Sequence, residues 1–327
     1  MKQLKMNQFK KEEYYFSYSG LNKLLYSPVL FYNHYILGEK EDRLDSYMVE
    51  GRLSHCLLLE PDEFDKQFIV AMDKLPSDNA KIIMDRLCKQ YSDVSDLDDL
   101  HNEILSIMTE MNYFQNLKTD EQRIAKLVTD DVKKYHKFVF ESQGKTVIDS
   151  QTKEKISAVV DAIRKDPEII KVLHLDNSEF DTHIEIYNEI MLQSKLDGYV
   201  FPGIKGILDN LIIDHSNKIA TINDFKTTGK TLMDFKDTVD YYNYSLQMGI
   251  YHMLVQNLLK EKGLDYDIAH NFIVIDKYNQ YYVFPVGINT FREWLNQTKL
   301  SLQIANYHLN TDNYSLPYAL LKEKVYL

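Results

Sequence analysis

Residues 221–230 read TINDFKTTGK, and Asp224 and Lys226 within it are side chains whose types and spacing could do chemistry. They follow the apolar, β-branched run Ile219, Ala220, Thr221, Ile222. Side chains two apart on a strand share a face. A carboxylate and an ammonium therefore stand together at the end of a strand that otherwise looks buried. Burying either charge is costly unless it is paired or holds a metal. Taken alone, so short a motif reads as a structural ion pair, because D-x-K arises often by chance. Fifteen residues earlier lies Asp209, in GILDNLIID. A strand carrying Asp209, a tight turn at His215–Lys218 and a return strand ending at Asp224 make a hairpin. That geometry can bring both carboxylates to one end of a sheet. Two carboxylates in one apolar site repel, so one must protonate or a cation must bridge them. Oxygen ligands select hard divalent ions such as Mg2+ or Mn2+. Lys226 could then offset the charge that develops when water attacks a phosphodiester.

Such a site needs a sheet, and the strand signals lie in the second half of the chain. HIEIYNEIML, GILDNLIID and KIATINDF are three strand-like runs separated by Gly, Pro, Asn and Ser. The helix YNYSLQMGIYHMLVQNLLKE follows, then a β-hairpin around Asn279 in FIVIDKYNQYYVFPVGI, then the long helix TFREWLNQTKLSLQIANYHL. Toward the N-terminus, Ser17 or Ser19 caps a short helix that Pro28 ends, and a helix from about Ser46 to Leu59 is stopped by Pro61. Residues 75–175 are mainly helical, with Ile156, Val159, Val160 and Ile163 as an amphipathic stripe. The acidic run DVSDLDDLHNE lacks the glycine and ligand spacing of a calcium loop, so it reads as a solvated loop or helix start. The expected fold is α/β, a central mixed sheet over residues 180–287 flanked by helices. A single domain over 1–327 is expected, with N-terminal helices to residue 75, a helical insert at 76–178 and the sheet core with C-terminal helices at 179–327.

The 327 residues can bury a large core and have a globular composition, 44% hydrophobic and 27% charged. No apolar run is long enough to span a membrane, and MKQLKMNQFKKEEYY has no apolar core of a secretory signal. Two cysteines without metal-ligand spacing imply a reducing, cytoplasmic setting. A net charge of −11 argues against broad adhesion to nucleic acid, yet permits a local basic channel beside a carboxylate cluster.

At this point ILDNLIID…TINDFKTT resembles the D…D-x-K core of the PD-(D/E)XK nuclease superfamily, and more closely its RecE-like branch, the exodeoxyribonuclease VIII type of phages and prophages. SGLNKLLYSPVLFY resembles that branch's S-x-L…SP…F signature, and EGRLSHCLLLEPDEF its G-x-x-x-H-x-x-x-L-x-P segment. GKTVIDSQTKEKISAVVDAIRKDPEIIKVL is similar to the helix before the core, YYNYSLQMGIY to the Y-x-x-Q-x-x-x-Y helix, and NYSLPY to the closing turn. The resemblance implies a restriction-endonuclease-like core and a metal-dependent deoxyribonuclease. It implies that Asp209 and Asp224 bind metal with the Phe225 carbonyl, that Lys226 is catalytic, and that His55 stands near the metal. Gly51 shares a helix face with His55 and would let that helix approach the sheet closely. Gln247 and Tyr251 match the catalytic Q-x-x-x-Y pair, while Thr227, Thr228 and Tyr244 fall where substrate binds. The upstream glutamate is Glu189 or Glu185, with Glu189 preferred. Asp197, in SKLDGYV, competes with Asp209, which is preferred because it leads directly into the hairpin.

The implied reaction is hydrolysis of DNA with one or two Mg2+ or Mn2+ ions, by a double-strand exonuclease of phage recombination or replication acting on linear DNA with a free end. A homo-oligomer and a single-strand annealing partner accompany that reading, and no membrane does. An endonuclease of repair or defence on the same core, or a non-catalytic DNA-binding scaffold, are the other readings.

Overall fold

The computed structural model describes residues 9–39, 46–175 and 183–322, and these fall into two compact units. The larger comprises the N-terminal residues to Gly51, Leu58–Glu60 and everything from Val159 onward. The smaller comprises Arg52–Leu57 and Pro61–Ala158.

The smaller unit is mainly helical. Helices Asp78–Gln90, His101–Glu110, Asp120–Leu127 and Asp130–Glu141 enclose Ile83, Met84, Leu87, Ile104 and Met108. Within the acidic run Asp96 caps the turn Leu97–Leu100, accepting the Asp98 N–H at 2.9 Å, and the helix His101–Glu110 follows directly, so that run is a helix start. Phe68–Val70 and Thr146–Ile148 pair as a short parallel ladder.

The larger unit is built on a six-stranded mixed sheet. Its strands are β1 (Tyr15–Phe16), β2 (Ile184–Lys195), β3 (Gly203–Asp214), β4 (Ile219–Thr227), β5 (Asp267–Ile275) and β6 (Tyr281–Pro285). Strand β3 pairs antiparallel with β2 from Gly203 to Asp214, interrupted only at Asp209 and its opposite residue Glu189. On its other side it pairs with β4 only over Asn210–Asp214, and with β1 only at Gly203 and Ile204. Both expected hairpins form. The β3–β4 turn spans residues 215–218 with Lys218 left-handed at φ 54°, and the β5–β6 turn holds Asn279 at φ 62°. Six helices matter for the site: α1 (Tyr18–Tyr26, capped by Ser17), α2 (Ser46–Leu59), α3 (Pro167–Leu173), α4 (Phe235–Tyr242), α5 (Tyr244–Glu261) and α6 (Ile288–Thr311). Beneath α5 and α6, Leu208, Leu211, Ala220, Ile222, Phe272 and Val274 join the apolar core. Among the described residues no helix is long and apolar enough to cross a membrane.

The opposite face of the sheet carries a row of amides. Asn210 Nδ2 donates to Asn188 Oδ1 at 2.8 Å, Asn223 Nδ2 to Asn210 Oδ1 at 2.7 Å, and Asn271 Nδ2 to Asn223 Oδ1 at 2.9 Å. The row crosses β2, β3, β4 and β5 in register, one residue from each. Helix carbonyls complete it, Leu59 O accepting from Asn188 and Val172 O from Asn223. Asn210 and Asn223 are buried, so each amide needs its partners. We expect Asn223→Leu to lower the unfolding free energy in urea by about 3 kcal/mol, because it leaves the buried Asn210 amide and two half-buried partners, Val172 O and Asn271, without their hydrogen bonds. Wild-type stability in that variant would show that the row does not hold the sheet.

Candidate active site

Strands β3 and β4 part company directly after the Asn210–Asn223 pair. From Asp224 to Thr227, β4 continues beside β5 alone, against Phe272–Ile275. A side chain bridges the opening, for Asp209 Oδ2 accepts the Phe225 N–H at 2.7 Å. Asp209 thus supplies the acceptor that a continued ladder would have provided, and it stands beside Asp224 for that reason.

Asp224 continues the core-facing alternation of Ala220 and Ile222, and Lys226 comes next on the same face. Asp224 is 0% exposed and the Lys226 side chain 14%, with Nζ 2.7 Å from Asp224 Oδ2. The same ammonium lies 4.9 Å from the centre of the Tyr244 ring. Burial alone would pull the lysine's proton affinity down, but the charges of Asp224 and Asp209 overcome it and hold Lys226 above the ordinary lysine value. The ammonium keeps its charge.

Glu189 arrives by a break in strand geometry. In β3 the core-facing residues run Ile204, Leu208, then Leu211 and Ile213, so the alternation slips between Leu208 and Leu211. Facing them in β2, the inward residues are Tyr187, then Ile190 and Leu192, and the slip falls on the same row. Glu189 and Asp209 occupy that row, Glu189 with a left-handed backbone at φ 48°. A non-glycine residue in a strand is held there only when its surroundings impose it. The slip brings a Glu189 carboxylate oxygen within 4.8 Å of one from Asp209.

The competing acids lie elsewhere. Asp197 is an exposed residue of the β2–β3 turn. Glu185 pairs across β2 and β3 with Ile213, and its carboxylate is taken up by Lys262 Nζ at 2.6 Å, the Tyr187 hydroxyl and His215 Nε2 at 2.8 Å. Those bonds, Lys262 first, hold it well below the usual glutamate range, at about 2. Strict alternation puts Glu185 and Glu189 on one face, whereas the slip at Glu189 separates their surroundings.

Helix α5 lays its polar pair over the strand. A Cβ on Gly206 would come within 2.8 Å of the Tyr251 ring, so glycine there lets Tyr251 pack closely on β3. Gln247 Nε2 donates to the Tyr251 hydroxyl at 2.8 Å. Burial raises the Tyr251 hydroxyl, and the Asp224 and Asp209 charges beside it raise it further. Tyr18 joins this group without any signal in the sequence. Burial raises its hydroxyl too, with Tyr244, Lys226 and Asp224 close enough to act on it.

Two further positions come from α2 and the end of β4. A Cβ on Gly51 would stand 2.9 Å from Thr227 Oγ1, so α2 reaches β4 closely at its glycine. Thr228 follows, its N–H donating to Ile275 O at 2.9 Å. His55 is half-buried on the Arg52–Leu57 stretch of α2, which belongs to the smaller unit.

Within the larger unit, Glu189 therefore comes within 4.8 Å of Asp209, and the carboxylates of Asp209 and Asp224 both act on one ammonium, Lys226. The surplus of negative oxygen suits a hard divalent cation.

No protein of curated function matches the chain. A crystal structure from Eubacterium rectale, provisionally described as an exonuclease, superposes with a TM-score of 0.43 at 12% identity, over 100% of this chain and 96% of that one. The sequence matches the PD-(D/E)XK nuclease superfamily over residues 15–285. This chain belongs to the PD-(D/E)XK nuclease superfamily.

Proposed function

We propose that the protein is a divalent-metal-dependent deoxyribonuclease of the RecE-like kind, degrading linear duplex DNA from an end. The observation that carries this reading is the excess of carboxylate over ammonium at the parting of β3 and β4. The donor set fits Mg2+ or Mn2+, since all its acidic groups are oxygen ligands. Asp209, Asp224, Glu189 and the Phe225 carbonyl are the proposed ligands. His55 is proposed to complete them.

A bound cation supplies polarisation of the phosphate and a more acidic water. The chain's own residues do the rest. Lys226, kept charged by its carboxylate neighbours, places positive charge where the phosphate oxygens gain negative charge in the transition state. Gln247 has its amide oriented by Tyr251, and its Oε1 is buried with no hydrogen-bond partner among the described residues, so it can accept from a water or a leaving hydroxyl. Thr227, Thr228 and Tyr244 are proposed to contact the substrate strand. A homo-oligomer and an annealing partner belong to the same reading.

End-labelled linear duplex and covalently closed circles, each with Mn2+ or EDTA, test the activity. We expect the linear DNA to be degraded only with Mn2+ and the circles to survive. Linearised circles would make the protein an endonuclease, and intact DNA in every lane would make it a binding protein.

Lys226→Ala separates the catalytic role from the ion pair. Without metal, loss of the partner of a buried carboxylate should lower stability by about 3–5 kcal/mol. With Mn2+ the melting gap to wild type should narrow, because the cation takes over as counter-charge, while single-turnover cleavage stays down by about two orders of magnitude or more. Normal cleavage per folded molecule would return Asp224 and Lys226 to a purely structural pair.

Glu189 offers a test that reads backbone and metal apart. Glu189→Gly should be more stable than Glu189→Ala by about 1 kcal/mol, because only glycine occupies the left-handed region without strain. Both variants should bind Mn2+ more weakly in calorimetry, and undiminished binding would remove Glu189 from the ligand set.

A further inference from the structure

The polypeptide breaks between α4 and α5 at Asn243, which is left-handed at φ 55°. The break presents two tyrosines to solvent, Tyr241 at 75% and Tyr242 at 46% exposure. It is a held corner. The Tyr242 carbonyl accepts from the Tyr18 hydroxyl and from Asn22 Nδ2 at 3.4 Å, and Asn243 Nδ2 donates to Asn22 Oδ1 at 2.8 Å.

From this corner an unbroken aromatic run leads to the site. Tyr242 stacks on Tyr244 with ring centres 5.5 Å apart and planes 20° apart, and Lys226 Nζ lies over the far member. Outward, Tyr241 meets Tyr242 edge-on at 4.8 Å, and Lys230 Nζ stands 5.9 Å from the Tyr241 ring. Lys230 is tied to the β5–β6 turn through its carbonyl, which accepts the Lys277 N–H at 3.4 Å, and Lys277 covers the exposed Tyr278 ring at 5.0 Å. Asp234 lies near both lysines but is bonded to Thr231 Oγ1 at 2.7 Å. Exposed rings held by a fixed backbone, interleaved with ammonium groups, match the chemistry of unpaired nucleotides, whose bases stack and whose phosphates pair.

We propose that Tyr241 and Tyr242, with Lys230 and Lys277, form a stacking platform that holds unpaired nucleotides of single-stranded DNA and leads that strand to Lys226. The proposal rests on the nuclease reading for its substrate, but its binding step needs no metal. Each base stacked on an aromatic ring contributes about 1–3 kcal/mol, largely independent of base identity.

The test is fluorescence anisotropy of a labelled oligothymidylate, in EDTA, beside an abasic deoxyribose-phosphate chain of equal length. Wild type should prefer the oligothymidylate. Tyr241→Ala should weaken that binding by about 5- to 150-fold, the affinity equivalent of one lost stack. Tyr241→Phe should bind like wild type, because the ring and not the hydroxyl makes the stack. The abasic chain should not distinguish the variants. Equal binding of both oligomers, or an oligothymidylate affinity indifferent to Tyr241→Ala, overturns the platform and leaves the nuclease reading standing. Tyrosine-dependent binding by a protein that cleaves no DNA with Mn2+ supports the platform and defeats the nuclease reading instead.

Discussion

Everything at the site is referred to one row of amides, buried at its centre in Asn210 and Asn223. Asn188, Asn210, Asn223 and Asn271 join four strands side chain to side chain. Because side chains alternate with period two, a slip of one residue in any strand would turn its amide to the wrong face and break the row. A buried amide left half-satisfied is costly, so the row admits one register. Asp209 and Asp224 each neighbour a member of it, on the other face, and Glu189 follows another. The carboxylates meet because the amides on the back of the sheet do.

The site itself is a departure from that regularity. Two strands lose their alternation on the same row, β3 and β4 separate, and Glu189 takes a backbone conformation that glycine would tolerate better. These features work against stability locally, as does a lysine–aspartate pair with exposures of 14% and 0%. The surrounding sheet carries them. Such concentrated irregularity in an otherwise consistent fold is characteristic of functional positions.

Helix α5 links this irregular end to the rest of the larger unit. Gly206 lets Tyr251 lie on β3, and Tyr251 in turn sets the Gln247 amide. At its N-terminus the left-handed Asn243 turns the chain sharply enough to expose Tyr241 and Tyr242 while Tyr244 remains against Lys226. One helix therefore orders groups from the buried carboxylates to the surface.

Much of this could be read from residues alone, because the deciding forces were local. The turn at residues 215–218, the hairpin at Asn279, the Ser17 cap and the long amphipathic helices follow from turn chemistry, capping and periodicity within a few neighbours. The D-x-K pair was legible for the same reason, since strand alternation alone puts Asp224 and Lys226 on one face. Period two could not separate Glu189 from Glu185, because the slip that distinguishes them arises from pairing with β3. Only the fold assigns Glu185 to Lys262, a partner 77 residues away, and leaves Asp197 in an exposed turn. The asparagine row was equally hidden: its members stand 22, 13 and 48 residues apart, and an isolated asparagine in a strand looks like a defect. Local spacing chose the elements, while register between distant strands chose which acids meet, since pairing energy depends on partners that no local window contains.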